Sequence, residues 1–186
     1  MAIKQFTNEQ LTSSDVNTYL NYGGLVWIAT ATATSGGTLD ITSCLSGNYD
    51  AYRIVISDAR TTAPAALYVT MLSGSTPAAS NWTWLAPRGD YATSSFSFDK
   101  ATNSAKVVFA VTDTVSIGCS IDIQQPFLTR QTSVQAVGTD ARGTTGYLIL
   151  PVAGILANTT SYNGIRIVSD GTFINIKASV YGYRIS

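Results

Sequence analysis

The sequence of 186 residues contains no histidine, and this limits the chemistry that the protein can perform. Histidine is the commonest general base near neutral pH and the commonest metal ligand. Catalysis by a Ser-His-Asp or Cys-His arrangement is therefore excluded. Cys44 and Cys119 are the only cysteines and cannot by themselves form a zinc site. We expect both thiols to be free and buried, because the N-terminus shows no secretory signal.

Paired carboxylates are the remaining route to hydrolysis, since glycosidases need only two acidic side chains. Most aspartates lie at predicted turns or strand ends, where turn preference accounts for them. They are Asp40, Asp50, Asp58, Asp90, Asp99, Asp113, Asp122, Asp140 and Asp170. No Walker loop, dinucleotide-binding glycine motif or EF-hand loop is present. The sequence therefore predicts a non-enzymatic protein with no catalytic residue, no cofactor and no metal.

Recognition chemistry has two kinds of candidate. Aromatic side chains stack on sugar rings if they are exposed, but their places in alternating strands favour the core or a subunit interface; they are Tyr68, Trp82, Trp84, Phe96 and Phe98. Polar contacts are predicted in a long loop, at Asp140 and Arg142, and in a turn spelled Arg88-Gly89-Asp90. Exposed loops on a rigid scaffold commonly carry binding residues.

The charge balance excludes one class of partner. Eleven Lys and Arg residues balance eleven Asp and Glu residues, and charged residues make up only 12% of the chain. No basic face is available to neutralise phosphates, so we expect no nucleic-acid binding. No apolar run approaches the roughly 20 residues of a membrane-spanning helix, so we expect no membrane insertion.

One short helix is predicted, near the start of the chain. Thr12 or Ser13 can cap its N-terminus, and Asp15 suits the positive end of its dipole. Val16, Tyr19 and Leu20 form one apolar stripe. Such a helix is marginal alone and must dock, either on the remainder of the chain or on a partner protein.

The rest of the chain alternates between apolar and polar residues in short runs separated by turn residues. About ten strands are expected, which is typical of an antiparallel β-sandwich, in particular a jelly roll. Hairpins are predicted around Thr112-Asp-Thr114 and around Asp170-Gly171. The predicted fold is thus all-β with one short N-terminal helix, divided into a leader, residues 1–24, and a sandwich body, residues 25–186.

The leader resembles a segment of tailed-bacteriophage structural proteins. The run from Met1 to Phe6, followed by Leu11-Thr-Ser-Ser-Asp-Val-Asn-Thr-Tyr-Leu20, is similar to the start of that family, although Asn21-Tyr22-Gly23 departs from it. Three short boxes in the body are also similar to phage fibre-like proteins: Tyr49–Ile56, Ile121–Pro126, and Gly164-Ile-Arg-Ile continuing to Val180–Arg184.

The resemblance implies a virion component, assembled in the host cytoplasm, whose leader attaches it to other virion proteins. The implied attachment residues are Phe6, Leu11, Asp15, Val16, Asn17, Tyr19 and Leu20. We expect a homotrimeric tail fibre or tail adaptor, with a host surface glycan as a candidate receptor. One alternative is a capsid decoration (cement) protein that stabilises the head lattice. Another is a carbohydrate-binding or glycan-degrading module.

Overall fold

The computed structural model describes residues 24–90, 94–139, 147–149 and 151–183. Within them the chain forms fourteen β-strands, all paired antiparallel, and no helix. The strands are β1 (Leu25–Ala33), β2 (Thr38–Ile41), β3 (Ala51–Thr61), β4 (Ala65–Ser73), β5 (Thr76–Pro77), β6 (Trp82–Asp90), β7 (Ser95–Ser104), β8 (Val107–Thr112), β9 (Ile117–Gln124), β10 (Thr132–Val137), β11 (Tyr147–Ile149), β12 (Val152–Leu156), β13 (Gly164–Ser169) and β14 (Phe173–Tyr183). The all-β, antiparallel prediction is confirmed.

A long sheet contains nine of these strands. Its order is β1-β14-β3-β9-β10-β12-β6, with β11 and β7 also paired to β6. Because β12 pairs with Trp82–Leu85 and β11 with Arg88–Asp90, these two strands lie end to end along one side of β6. Strand β7 pairs along the other side. The long sheet therefore has β1 at one edge and β7 at the other.

A short sheet contains the other five strands, in the order β2-β13-β4, with β8 and the two-residue β5 paired to β4. The buried residues of both sheets form one apolar cluster, as in a β-sandwich. Its largest fully buried side chains include Trp82, Tyr52, Phe109 and Phe173. The Tyr52 hydroxyl donates to the Ser46 carbonyl at 2.6 Å and accepts from the Ser46 amide at 2.7 Å, so this buried polar group is satisfied.

Both predicted hairpins are wrong. Strand β8 lies in the short sheet and β9 in the long sheet, so Thr112-Asp-Thr114 begins a crossing between sheets. Likewise, β13 and β14 lie in different sheets, and Asp170-Gly171 connects them. A β-carbon on Gly171 would lie 2.9 Å from the Ala65 β-carbon, so this glycine allows close packing at the crossing.

Other boundaries also differ from the prediction. The expected turn at Arg88-Gly89-Asp90 is the end of strand β6, because β7 and β11 extend the ladder on both sides. Strand β12 was not predicted, since Pro151 interrupts the apolar run that contains it. The predicted leader helix and its residues Phe6, Leu11, Asp15, Val16, Asn17, Tyr19 and Leu20 lie outside the described residues. The division at residue 24 stays a prediction.

The expectation of free, buried thiols is confirmed. Cys44 and Cys119 are unpaired and buried, and the Cys44 thiol donates to the Ile41 carbonyl at 3.2 Å. Burial raises the pKa of each thiol to about 12. Each thiol is therefore protonated at neutral pH, and the thiolate is the reactive form.

We expect Ellman's reagent at pH 8 to label neither thiol of the native protein, and to label both once guanidinium unfolds it. Native labelling should be at least about a hundredfold slower than denatured labelling, because both burial and the raised pKa oppose it. A Thr32→Cys variant, which adds a thiol at an exposed strand position, is the control and should react at once. Rapid native labelling of Cys44 or Cys119 would contradict the described packing.

Candidate binding surface

One row of side chains crosses the outer face of the long sheet from edge to edge. Each member pairs with the next in the strand register: Trp27, Tyr181, Arg53, Asp122, Gln135, Ala153, Leu85 and Lys100. All are partly or fully exposed. Cross-strand neighbours on one face lie about 4.5–5.5 Å apart and act together. We call this set the outer row; it has an aromatic end, a charged centre and an apolar end.

The charged centre is the pair Arg53 and Asp122. The Arg53 Nε and one terminal nitrogen donate to the two carboxylate oxygens of Asp122 at 2.8 and 2.7 Å, which is the bidentate arrangement. The hydrogen bond to Asp122 raises the pKa of Arg53. The Arg53 guanidinium also lies 5.7 Å from the centre of the Tyr183 ring. This centre offers fixed donors and acceptors with no net charge.

The aromatic end depends on a β-bulge. The register of β1 shifts between Trp27 and Ala29, so Trp27 and Thr30 face the same side although they are three residues apart. The indole Nε1 donates to Thr30 Oγ1 at 3.0 Å, and the hydroxyls of Thr30 and Ser179 are 2.8 Å apart. The Trp27 side chain is 61% exposed. A large aromatic ring is thus held in one orientation at the surface.

The apolar end combines protruding rings with a depression. Phe96 is 71% and Phe98 65% exposed on β7, and Leu85 on β6 and Ile155 on β12 are exposed further along the same face. We call these four residues the apolar patch. Next to it lies a depression of about 500 Å³ whose outward lining includes Thr83, Leu85, Lys100, Gln135, Ala153 and Ile155. Large apolar side chains exposed on one face are typical of interaction surfaces.

A second depression, of about 240 Å³, links the apolar end to the charged centre. Its lining includes Asp122, Gln135 and Ala153, which belong to the outer row, together with Ser120 and Val137. The Gln135 side chain makes no hydrogen bond to any residue that the structure describes. Its amide, which is both a donor and an acceptor, is therefore free to meet a ligand.

Arg88 and Asp90, two of the polar residues predicted for contact, do not belong to the outer row. The Arg88 side chain is only 18% exposed and forms an ion pair with Asp99. The backbone of Asp90 pairs with Tyr147 and Ser95. Asp140 and Arg142 lie outside the described residues. No observation therefore assigns a receptor contact to these four residues.

The predicted aromatic set divides between core and surface. Trp82 is fully buried and Trp84 packs against the core, as the alternation favours, whereas Phe96 and Phe98 are exposed. Tyr68 is half-buried, with Lys106 Nζ 3.6 Å from its ring centre and its hydroxyl donating to Asp170 at 2.8 Å. Burial, followed by Asp170, raises the Tyr68 pKa to about 12.

Trp27 and the outer row were not predicted from the sequence. The alternation of Thr and Ala over residues 30–34 does indicate a strand with two unlike faces. However, the bulge that places Trp27 on the outer face leaves no clear sequence signal. The row also requires the register of seven strand ladders, which no local pattern contains.

Two further ion pairs of the described residues lie at the surface. Arg166 donates to both oxygens of Asp40 at 2.6 and 2.7 Å, and Lys106 lies 3.0 Å from Asp170. No group of three or more His, Cys, Asp or Glu side chains in the described part of the chain is arranged to hold a metal ion. In the same residues, no helix is long and apolar enough to cross a membrane.

Asp58, on the same face as the outer row, gives a pH test of this surface. Its carboxylate accepts a hydrogen bond from Ser116 Oγ at 2.6 Å and another from the Asn175 amide, and Arg60 Nε lies 3.4 Å away. The Ser116 hydrogen bond, then that from Asn175 and the Arg60 charge, lower the pKa of Asp58. A lowered carboxyl pKa stabilises the fold above the unfolded pKa of about 4, and this contribution is lost as pH falls through the folded pKa.

We expect Asp58→Asn to lower Tm at pH 7 by about 2 °C, because the site is partly exposed and its charge interactions are screened. The variant should also show a shallower fall of Tm between about pH 4 and pH 2. Thermal unfolding monitored by circular dichroism across this range measures both effects. Asp50→Asn is the control and should leave the Tm profile unchanged. Parallel profiles for wild type and Asp58→Asn would contradict the prediction.

The chain matches no protein-family model, no curated protein and no solved structure.

Proposed function

We propose that the protein is a non-enzymatic bacteriophage virion structural protein, a homotrimeric tail fibre or tail adaptor component attached through residues 1–24. The resemblance of the leader and of three boxes in the body supports the virion setting. The low charge of the chain, 12% charged residues with zero net charge, suits a subunit that is partly covered in a permanent assembly.

The strand order supports the jelly-roll form of the sandwich. The order β1-β14-β3-β9 in the long sheet faces β2-β13-β4-β8 in the short sheet. Successive strands of this set of eight alternate between the sheets, apart from the pair β4–β8, which lies within the short sheet. Two Greek keys with this strand order are expected of a jelly roll, which is the form that we propose. The inserted strands β6, β7, β10, β11 and β12 extend the long sheet, and they carry the apolar patch.

The observation that carries the proposal is the apolar patch. Phe96 and Phe98 are each about two-thirds exposed, and they lie on edge strand β7, whose outer side pairs with no strand in the described residues. A long edge strand with exposed aromatic rings, whose charged residues are limited to Asp99 and Lys100, invites pairing with another chain. Protruding rings and an adjacent depression on one face also form complementary shapes for two copies of the protein. A structural subunit whose patch is covered by its neighbours accounts for this surface.

A capsid decoration protein is the second candidate. Its support is the small size of the chain and the absence of any fibre shaft from the described residues, which belong to the two sheets and their connections. In this alternative the same leader binds the capsid lattice and the sandwich bridges capsid subunits.

Copy number per virion separates the two candidates. Quantitative mass spectrometry against the major capsid protein should give a ratio of a few per cent for a tail component. A ratio of the same order as the capsid protein would replace the tail proposal with the decoration proposal.

We expect the wild type to be a trimer at micromolar concentration and the double variant Phe96→Ser, Phe98→Ser to be a monomer. The substitutions remove apolar area that would be buried between copies, at about 25 cal/mol per Å². Size-exclusion chromatography with light scattering measures the mass, and circular dichroism checks the fold. Trp27→Ser, which removes an exposed ring at the opposite edge, should leave the trimer intact. A monomeric wild type would contradict the proposed trimer.

We expect deletion of residues 1–22 to leave a folded body that no longer enters virions. The reason is that the attachment residues of the leader are separate in sequence from the strands that form the apolar core. Complementation of a phage lacking the gene, followed by mass spectrometry of purified particles, measures incorporation. If the truncated body unfolds, the leader covers the core instead of attaching the protein.

A further inference from the structure

We propose that the aromatic end and the charged centre of the outer row form a binding site for a neutral glycan chain, with Trp27 as the stacking platform. The inference rests on the proposed function for its biological setting, since a virion surface component meets cell-surface polysaccharides. Its chemistry rests on Trp27, Tyr181, Arg53, Asp122 and Gln135.

The ring of Trp27 provides the stacking platform. Trp27 is 61% exposed although burying an indole ring stabilises a fold, and its Nε1 is hydrogen-bonded to Thr30 at 3.0 Å, which fixes the ring. Tyr181 lies directly opposite Trp27 in the strand register and faces the same side. The face of an aromatic ring is electron-rich, and the axial C–H groups of a pyranose are weakly positive. A sugar ring laid on Trp27 would therefore gain apolar and electrostatic contact without ordering a flexible side chain.

The charged centre of the outer row provides the hydrogen-bonding groups. Arg53 and Asp122 are the next two members of the row, and their bidentate pair holds both side chains in place. A guanidinium has five donors and a carboxylate about four acceptor positions, so each retains hydrogen-bonding capacity beyond the pair. Vicinal sugar hydroxyls, which donate and accept, match such an arrangement. Because the pair has no net charge, it favours a neutral sugar over an acidic one.

The distance between Trp27 and Gln135 determines the length of ligand that the site can hold. Gln135 follows Asp122 in the row, lines the depression of about 240 Å³, and has an amide free of intramolecular hydrogen bonds to described residues. Trp27 and Gln135 are separated by four strand spacings of about 4.8 Å, which is about 19 Å. A single sugar cannot reach both. The site therefore fits a chain of several pyranose rings running across the strands.

The experiment uses the full-length protein and a printed panel of neutral and acidic bacterial polysaccharides. We expect binding to at least one neutral member. Titration with an oligosaccharide released from that member should quench tryptophan fluorescence and give the Kd. Trp27→Ala should weaken binding at least tenfold, and Gln135→Ala should weaken it severalfold. Both side chains are at the surface, so circular dichroism should show an unchanged fold.

Phe98→Ser is the matched control, because it removes an exposed ring from the same face at the other end of the row. It should keep the Kd within about twofold of wild type while changing the oligomer. The inference is overturned if no neutral polysaccharide binds, if only acidic ones bind, or if Trp27→Ala binds as the wild type does. A trimer that binds no glycan would overturn this site alone, and a glycan-binding monomer would overturn the trimer alone.

Discussion

The burial of the short sheet's edge strand β8 by the long sheet is the constraint on which the rest of the structure depends. All six residues of β8 are buried, although this strand lies at a sheet edge. Strands β6, β10, β11 and β12 of the long sheet contact it, and the Val111 amide donates to the Thr139 carbonyl at 3.2 Å. Thr112 Oγ1 donates to the Ala59 carbonyl at 2.8 Å. The long sheet therefore covers an edge that would otherwise be open to pairing.

The covering of β8 by the long sheet explains why the exposed apolar surface lies on the outer face near β7. The additional strands β6, β10, β11 and β12 of the long sheet contact β8, and β7, paired to β6, moves the edge of this sheet outward. The inner faces of these strands are used in covering β8: Gly154 lies close to Val107, where a β-carbon would come within 3.3 Å. Their outer faces have no layer above them in the described residues. The fold thus protects one edge and leaves another exposed, with Phe96 and Phe98 on its strand.

The sequence predicted local structure well and long-range arrangement poorly. Alternation in β9, with Ile117, Cys119, Ile121 and Ile123 on one face, identified that strand and its buried side correctly. An Asp-Gly turn signal, however, reports only that the chain reverses. It does not report whether the next strand joins the same sheet or crosses to the other, and at Gly171 the chain crosses. The predicted hairpins failed for this reason.

The candidate site was harder to predict than the fold because it is a property of register. Arg53 and Asp122 are far apart in sequence and meet only because β3 and β9 pair with these residues opposite each other. A shift of one residue in either strand would turn one of the two toward the core. The polar loop and turn residues, by contrast, were predicted from local sequence alone. Arg88, one of them, forms an ion pair with Asp99.

The two ends of the outer row are suited to different partners, and the geometry lets both act at once. Trp27 and Lys100 are separated by seven strand spacings, about 33 Å, so a neighbour covering the patch near β7 would not reach the ring on β1. The patch offers apolar area with little hydrogen-bonding capacity, which suits a permanent protein contact. The Trp27 end offers one fixed ring beside paired charges, which suits a hydrated ligand. The oligomer contact and the glycan site that we propose are therefore compatible on one face of one sheet.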